Sequence, residues 1–337
     1  MNSLERVRAC VGFGEADRVP VIPQVFGHAA LINGVPLDAY VQDGDLIARC
    51  QSRALERYGY DAVFAVMDVS VEAEALGASL RYFTHAYPVI EARPLKAADD
   101  LGTLTLPDPE RAGRMPEMIK ALRALRRNLG DQFLIVGCVL GPLTLASQLL
   151  GAESALYLAI DDPELFGRLL DFSTEVVIRF GAAQIDSGAH IPIVFDPCAS
   201  PAVVPGQFFR EFELPRLRKV FAEFAQKGAL TSWLHIAGPV QPILSFYPAA
   251  GVHIANFDYC VAPEEAQGQL PATCLDGNIK SMSFIEDRPE DIGAEASLLV
   301  RSFERRGGFI LSSGCEIPPE SQPANVAALV EAVKGRR

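Results

Sequence analysis

Short apolar runs that alternate with longer amphipathic stretches are the feature that most constrains the fold of this chain. The runs are rich in β-branched residues and bounded by turn-forming residues, which is typical of strands buried on both faces of a parallel sheet. They occupy residues 19–26, 62–68, 133–141, 191–196, 231–238, 252–258, 272–278 and 309–315. Eight strands alternating with helices predict an α/β fold, namely a (β/α)8 TIM barrel with an N-terminal helix and loop insertions.

The barrel is predicted to form a single domain over residues 1–337. The longest gap between strands contains residues 80–109, which have proline-bounded ends and are expected to form an inserted arm. The rival fold is a doubly wound open sheet. No GxGxxG motif follows the first run, so a dinucleotide-binding version of that fold has no support.

Composition and charge exclude several classes of partner. The formal net charge of -12 disfavours nucleic acids and anionic membrane surfaces, since both need basic residues. The chain has no apolar run of about 18 residues and begins without an apolar leader, so we expect a cytoplasmic protein. Its seven cysteines are scattered and odd in number, which predicts free thiols.

A chemically useful side chain stands at or just after the end of each apolar run. In a barrel these ends share one mouth, where catalytic groups are found. The eight residues are His28, Asp68, Cys138, Asp196, His235, Asp258, Asp276 and Cys315. We expect His235, Asp68 and Asp196 to be catalytic. The structural alternatives are a core histidine for His235, a helix cap for Asp68 and loop stabilisation for Asp196.

Substrate binding is assigned to His28, Asp276 and Asn278. His28 follows the first run and lies near the predicted mouth. The stretch of Asp276, Gly277 and Asn278 is first a turn signal and only second a ligand contact.

His235 and Cys315 form the sharpest candidate pair. The turn-forming Gly238 and Pro239 follow His235, which places the imidazole at the barrel mouth. Cys315 lies in a loop of small residues that ends in prolines. Imidazole and thiolate suit zinc, and catalytic zinc sites have three protein ligands and one open position.

Six stretches, in the order of the family, resemble the uroporphyrinogen decarboxylase superfamily and within it the corrinoid-dependent methyltransferases. They are residues 67–82, 141–151, 196–217, 233–238, 275–279 and 312–334. The resemblance implies a barrel that moves a methyl group to or from the cobalamin of a separate corrinoid protein. The other partner in the transfer would be a small methylated substrate, such as a methoxylated compound, or a thiol acceptor.

The chain departs from true uroporphyrinogen decarboxylases in its first run. Those enzymes carry an arginine-rich motif there, whereas this chain has no arginine between Arg18 and Arg49. A substrate with many carboxylates needs cationic partners. The departure therefore argues against porphyrinogen as the substrate.

A second departure concerns zinc. In the thiol-methylating branch that the chain resembles, zinc is held by a His-x-Cys pair and a distant cysteine. His235 and Cys315 match this pattern, but Ala237 replaces the middle cysteine. Asp258 or Cys260 could supply the third ligand. With an oxygen ligand the zinc would be more Lewis-acidic and would suit activation of an ether oxygen.

Two other functions remain open from the residues alone. One is a metal-free decarboxylase of a small carboxylated substrate, in which Asp68 or Asp196 stabilises a developing positive charge. The other is a non-catalytic relative that only binds a ligand or a corrinoid protein.

Overall fold

A computed structural model describes residues 1–334 of the chain. Residues 335–337, the end of the predicted domain, lie outside the described residues. The strands are β1 Ala62–Phe64, β2 Ser79–Phe83, β3 Ala86–Ala92, β4 Leu134–Leu140, β5 Ile191–Phe195, β6 Trp233–His235, β7 Ile254–Asn256, β8 Cys274–Ile279 and β9 Phe309–Ser313.

The helices in the described residues are α1 Ser3–Val11, α2 Gly27–Leu31, α3 Leu37–Tyr40, α4 Gly44–Tyr58, α5 Val71–Ala75, α6 Met115–Leu129, α7 Pro142–Leu150, α8 Ala152–Asp161, α9 Pro163–Asp186, α10 Gly206–Phe208, α11 Leu214–Lys227, α12 Tyr247–Ala250, α13 Pro263–Gln269, α14 Ser283–Glu286, α15 Pro289–Phe303 and α16 Pro323–Glu331. Short 3-10 turns cover Ala98–Thr103, Pro197–Ala199 and Gln241–Phe246, and a π-helical turn covers Phe209–Glu213.

Within residues 1–334, seven strands form one parallel sheet in the order β1, β4, β5, β6, β7, β8, β9. Every residue of these seven strands is buried. Each strand lies in one of the last seven predicted runs, except that β8 ends one residue beyond its run. The parallel sheet expected from the apolar runs is therefore confirmed.

The first predicted strand differs from the expectation. Val21 forms only an isolated parallel bridge with Leu311, although the Asp61 N–H also donates to the Val21 carbonyl oxygen at 2.8 Å. The segment thus lies between β9 and β1 without forming a strand. Pro20 and Pro23 flank the bridge and have no N–H to donate, so a regular ladder cannot extend through them. Eight regular strands were predicted, and a seven-stranded sheet with a bridge in the eighth position is observed.

Residues 79–92 form an antiparallel hairpin of β2 and β3 outside the parallel sheet. The hairpin lies at the start of the predicted arm and packs beside α3, where the Leu37 N–H donates to the Thr84 carbonyl oxygen at 3.0 Å. No single described helix is both long and apolar enough to cross a bilayer, although the bent pair of α7 and α8 passes that test by length and composition.

Asp61, at the start of β1, joins the N-terminal elements to the sheet. Its carboxylate is fully buried and accepts hydrogen bonds from Ser3 Oγ at 2.8 Å, Arg6 Nη1 at 2.7 Å, Arg18 Nη1 at 2.7 Å and the Val21 N–H at 2.8 Å. One carboxylate thus anchors α1 and the bridged segment together. Arg6 and Arg18 are themselves mostly buried, so solvent screens these ion pairs little.

Replacing Asp61→Asn should lower the free energy of unfolding by about 3–5 kcal/mol, because it leaves the mostly buried Arg18 without its counter-charge and Arg6 with only the partly exposed Asp17. Urea unfolding followed by circular dichroism measures this. Asp17 is a matched control because it pairs with Arg6 but is 44% exposed. Asp17→Asn should cost less than about 1 kcal/mol. Equal losses in the two variants would contradict the role assigned to Asp61.

Candidate active site

A cavity of about 180 Å³ opens at the carboxyl ends of the strands. Its lining residues are Phe26, Val66, Met67, Asp68, Val69, Tyr87, Pro88, Cys138, Phe195, Pro197, His235, Ala237, Cys315 and Glu316. A larger depression of about 360 Å³ lies beside the N-terminal segment and α15, and none of the predicted site residues lines it. Of the residues expected at the strand ends, Asp68, Cys138, His235 and Cys315 line the smaller cavity.

His235 ends β6 and is 1% exposed. Its Nδ1 lies 3.1 Å from Nε2 of Gln24, and its ring packs on Phe195 with centroids 4.5 Å apart. Burial lowers the pKa of His235 to about 3, so the imidazole is neutral at physiological pH. Gln24 comes from the segment that bridges β9 and β1, and it is fully buried.

Cys315 and Glu316 follow β9 and line the same cavity. Burial raises the pKa of the Cys315 thiol to about 11, which keeps it protonated at neutral pH. Glu316 accepts hydrogen bonds from the Tyr87 hydroxyl and from the Gly27 N–H. Burial also raises the pKa of Glu316 to about 7. Tyr87 lies in the hairpin strand β3, so the hairpin supplies part of the cavity wall.

Asp68 reaches the cavity with its charge already compensated. Its carboxylate forms a buried ion pair with Arg114 and accepts a hydrogen bond from the Ser70 N–H at 2.8 Å. Arg114 also pairs with Glu74 at 2.6 Å and donates to the Val41 carbonyl oxygen at 2.8 Å. The helix cap was the structural alternative for Asp68, but the N-cap position of α5 is occupied by Ser70.

Asp196 follows β5 but does not line the cavity. Its Oδ1 accepts hydrogen bonds from the Thr144 N–H at 2.9 Å and the Thr144 hydroxyl at 2.6 Å, in the first turn of α7. Asp196 is fully buried beside Glu213, which lies in the π-helical turn. Burial raises the pKa of both carboxyl groups, and their proximity raises that of Glu213 further. The pair therefore keeps a proton to a higher pH than isolated carboxyl groups would.

Asp276 and Asn278 lie within β8, so the turn predicted there is wrong. Asp276 is paired in register with Asn256 on one side and Ile310 on the other, and these two ladders override the local turn preference. Its carboxylate accepts hydrogen bonds from Trp233 Nε1 at 3.2 Å and from the Asn256 amide at 3.1 Å. Burial raises the pKa of Asp276 to about 7.

Asn278 and His28 also have partners within the protein and lie outside the lining of the cavity. The Asn278 amide donates to the Val261 carbonyl oxygen at 3.0 Å. His28 lies in α2, where its Nε2 is 2.8 Å from the Tyr58 hydroxyl and its Nδ1 is 3.0 Å from the Pro319 carbonyl oxygen. Both ring nitrogens of His28 are thus engaged, and neither is free for a substrate.

The donors near His235 do not fit zinc bound in the way that the resemblance implies. Asp258 accepts the Gly238 N–H with Oδ2 and the Tyr259 N–H with Oδ1, at 2.9 and 2.7 Å. Cys260 is exposed, and Ala237 contributes only a methyl group to the cavity. Over residues 1–334 no group of three or more His, Cys, Asp or Glu side chains is arranged to hold a metal ion. A catalytic zinc site needs three such ligands.

Comparison with known proteins identifies the family. The family description "Uroporphyrinogen decarboxylase (URO-D)" matches residues 3–336. The chain belongs to the uroporphyrinogen decarboxylase family. This confirms the relationship inferred from the six family-like stretches of the sequence.

Several members of the uroporphyrinogen decarboxylase family are similar to this chain over most of their length. The methylcobamide:CoM methyltransferase MtaA of Methanosarcina barkeri is 31% identical over 294 residues, which cover 86% of this chain and 84% of the relative. A methylated-thiol–coenzyme M methyltransferase of Methanosarcina mazei is 29% identical and covers 99% of this chain and 89% of the relative. A solved methyltransferase from Methanosarcina mazei superimposes with a TM-score of 0.89 at 27% identity and covers 98% of both chains. Uroporphyrinogen decarboxylases are also among the similar proteins.

Sequence reasoning missed four residues of the site: Gln24, Tyr87, Arg114 and Glu316. Glu316 directly follows the predicted Cys315, and that adjacency is the one local signal that could have found it. Gln24 lies inside a run that was interpreted as an apolar strand. Tyr87 and Arg114 are brought to the site by the hairpin and by the start of α6, and no local pattern marks them.

A cysteine placed at position 237 tests whether zinc binding is limited by the number of ligands near His235. Ala237→Cys places a thiol two residues from His235 in a cavity that already contains Cys315, which completes a set of three donors. After dialysis against a chelator, we expect the variant to retain about one zinc per chain by elemental analysis. Wild type and the matched control Ala237→Ser should retain far less. Stoichiometric zinc in the dialysed wild type would contradict the two-donor assignment.

The buried carboxyl pair makes stability depend on pH. Above the ordinary glutamate pKa of 4.5 the unfolded chain loses a proton that the folded Glu213 keeps. The contribution of Glu213 to the free energy of unfolding is therefore complete at low pH and is lost as the pH rises. Glu213→Gln removes the titratable group. The free energy of unfolding of this variant should therefore fall less between about pH 5 and pH 8 than that of wild type. Urea unfolding across this pH range measures the difference.

The control for this experiment is Glu211→Gln, which changes an exposed carboxylate in the same π-helical turn. Its pH dependence should match that of wild type. A Glu213→Gln profile parallel to the wild-type profile would show that the pair holds no extra proton.

Proposed function

We propose that this protein is a corrinoid-dependent methyltransferase that removes the methyl group of a small methoxylated compound and passes it to a reduced corrinoid on a separate protein. The observation that carries the proposal is the cavity of about 180 Å³, which contains His235 but has Ala237 where thiol-methylating relatives are expected to have cysteine. The similarity to methylcobamide methyltransferases supports the same class of reaction.

The size and polarity of the cavity favour a neutral, single-ring substrate. An apolar cavity of roughly 150 Å³ is large enough to hold benzene. Phe26, Val66, Phe195 and Pro197 provide apolar walls of the kind that hold an aromatic ring. Among the described lining residues there is no lysine or arginine, so a sulfonate or several carboxylates would enter without a cationic partner. This favours an aryl methyl ether over a porphyrinogen.

The reaction is a displacement at the methyl carbon. The bond between oxygen and methyl breaks with its electron pair left on oxygen, and the electron pair of the reduced corrinoid forms the new bond to carbon. The released phenolate takes a proton from solvent. The protein contributes by holding the ether with its methyl group directed towards the mouth, since alignment of donor and acceptor lowers the barrier.

The residues of the cavity divide this task. Phe195 packs against His235 with the two rings tilted by 46° and limits where a substrate ring can lie. His235 lies two residues before Ala237 in the same cavity, and in this proposal its neutral imidazole faces the ether oxygen. Asp68 is held by Arg114 and keeps a compensated carboxylate at the cavity edge. No step of the proposal requires zinc.

The cavity mouth carries apolar side chains suited to a protein partner. Val69, Val203, Tyr259 and Met282 are about half exposed and lie in the segments that follow β1, β5, β7 and β8. Exposed apolar side chains that form a patch around a cavity often mark a site of interaction with another protein. We assign this rim to the docking of the corrinoid protein, which would bring the corrinoid to the open end of the cavity.

Anaerobic incubation with cob(I)alamin tests the proposal directly. With 2-methoxyphenol as donor we expect methylcob(III)alamin and the demethylated phenol in equal amounts, followed by absorption spectroscopy and chromatography. His235→Ala should slow this transfer about 100-fold, the usual effect of losing one hydrogen-bond donor to a developing oxyanion. The exposed His253 is the matched control, and His253→Ala should transfer methyl at the wild-type rate.

Two results would overturn the proposal. Transfer that occurs only with thiols would assign the chain to the thiol-methylating branch. Release of carbon dioxide from small carboxylic acids, without methyl transfer from any ether, would make the protein a decarboxylase.

A further inference from the structure

We infer that Gln24 sets the tautomer of His235, so that the neutral imidazole carries its proton on Nε2 and offers an N–H donor to the substrate oxygen. Gln24 is thus a positioning residue, and His235 is a hydrogen-bond donor in place of a metal ligand. The inference rests on the proposed function for the identity of the oxygen, but the tautomer itself can be measured without any reaction.

The contact between the two side chains decides the tautomer. Gln24 Nε2 lies 3.1 Å from His235 Nδ1, and both side chains are buried. An amide NH2 group only donates, so Nδ1 must accept. In a neutral imidazole the other nitrogen then carries the proton. The burial that lowers the pKa of His235 to about 3 keeps the ring in this neutral form.

The backbone of Gln24 is fixed on both sides of its side chain. Its N–H donates to Ser313 Oγ at 3.3 Å, and its carbonyl oxygen accepts the Ile317 N–H at 3.2 Å. Ser313 ends β9, and Ile317 follows the loop that carries Cys315. The backbone of Gln24 is therefore held by the same segment that carries the cavity residues Cys315 and Glu316.

The opposite tautomer would need the amide to be turned around. Oε1 of Gln24 has no hydrogen-bond partner among the described residues. If it took the place of Nε2, it would accept from Nδ1–H, and Nε2 of His235 would bear a lone pair as a metal ligand requires. The two orientations of the Gln24 amide thus correspond to the two neutral tautomers of His235, which have different nitrogen-15 NMR signals.

An N–H donor at His235 Nε2 is consistent with the groups around it, which do not complete a metal site. The second thiol of a three-ligand zinc site is absent at Ala237, and Asp258 is occupied by backbone N–H groups. A lone pair at Nε2 would therefore face too few other ligands to hold a metal. An N–H at the same place stabilises negative charge that develops on the departing oxygen, which is worth about 100- to 1,000-fold in rate in comparable oxyanion sites.

Nitrogen-15 NMR of protein labelled at histidine tests the tautomer. Two-bond correlations from the ring protons distinguish a protonated from a bare nitrogen, and the His235 signals are assigned by their loss in His235→Gln. In wild type we expect a protonated Nε2 and a bare Nδ1. A protonated Nδ1 with a bare Nε2 would overturn the inference.

Two substitutions of Gln24 extend the test. Gln24→Glu offers a carboxylate that accepts from Nδ1–H, so the protonation of Nδ1 should appear in the spectrum. Gln24→Met keeps the length but removes the donor, and both tautomers should then be present. The matched control is Gln51→Met, because Gln51 is equally buried but donates to Val25 and Tyr40. It should leave the His235 spectrum unchanged, and an identical spectrum for Gln24→Met would refute the role of Gln24.

Kinetics with a series of methoxybenzenes connects the tautomer to the reaction. Gln24→Met should lower kcat by about 10- to 100-fold with little change in KM, and most for ethers of weakly acidic phenols. An equal loss for every leaving group would indicate a structural effect only and would refute the positioning role. If no ether is demethylated by wild type, the proposed function fails, whereas the NMR result on the tautomer still stands or falls by itself.

Discussion

The buried carboxylate of Asp61 is the contact on which the site ultimately depends. It binds Arg6, Arg18 and the Val21 N–H, and so holds the proline-flanked segment between β9 and β1. That segment cannot hold itself by a ladder, because its prolines lack donors. Directly beyond it the chain places Gln24 against His235. The ion pairs of Asp61, before the first residue of β1, therefore help to position the His235 imidazole at the last residue of β6.

Burial that disfavours net charge is the common property of the titratable groups in the cavity. It keeps the His235 imidazole neutral, keeps the Cys315 thiol protonated and brings the pKa of Glu316 to about 7. The charged lining residue Asp68 is neutralised by Arg114. Under the proposed function, such a cavity suits a neutral substrate and stabilises charge only as it forms. Demethylation of an ether has this property, because the negative charge appears on oxygen as the bond breaks.

Much of the parallel sheet could be predicted because its strands are buried on both faces and are therefore continuous apolar runs. Their ends led to His235, Asp68 and Cys315, which do line the cavity. The same rule also selected Asp196 and Asp276, whose side chains turn towards α7 and into the sheet interior. The end of an apolar run does not by itself tell which face a side chain points to, because successive side chains of a strand alternate between the two faces of the sheet. Gln24 could not be found because its run has the composition of a strand, while its prolines prevent one.

The contact of Tyr87 with Glu316 makes the hairpin a separate determinant of the shape of the cavity. The hairpin that carries Tyr87 lies outside the parallel sheet, yet it forms one wall of the cavity. Insertions or substitutions in this hairpin therefore reshape the substrate space without disturbing a single strand of the sheet. The parallel sheet and the shape of the cavity can therefore be changed separately.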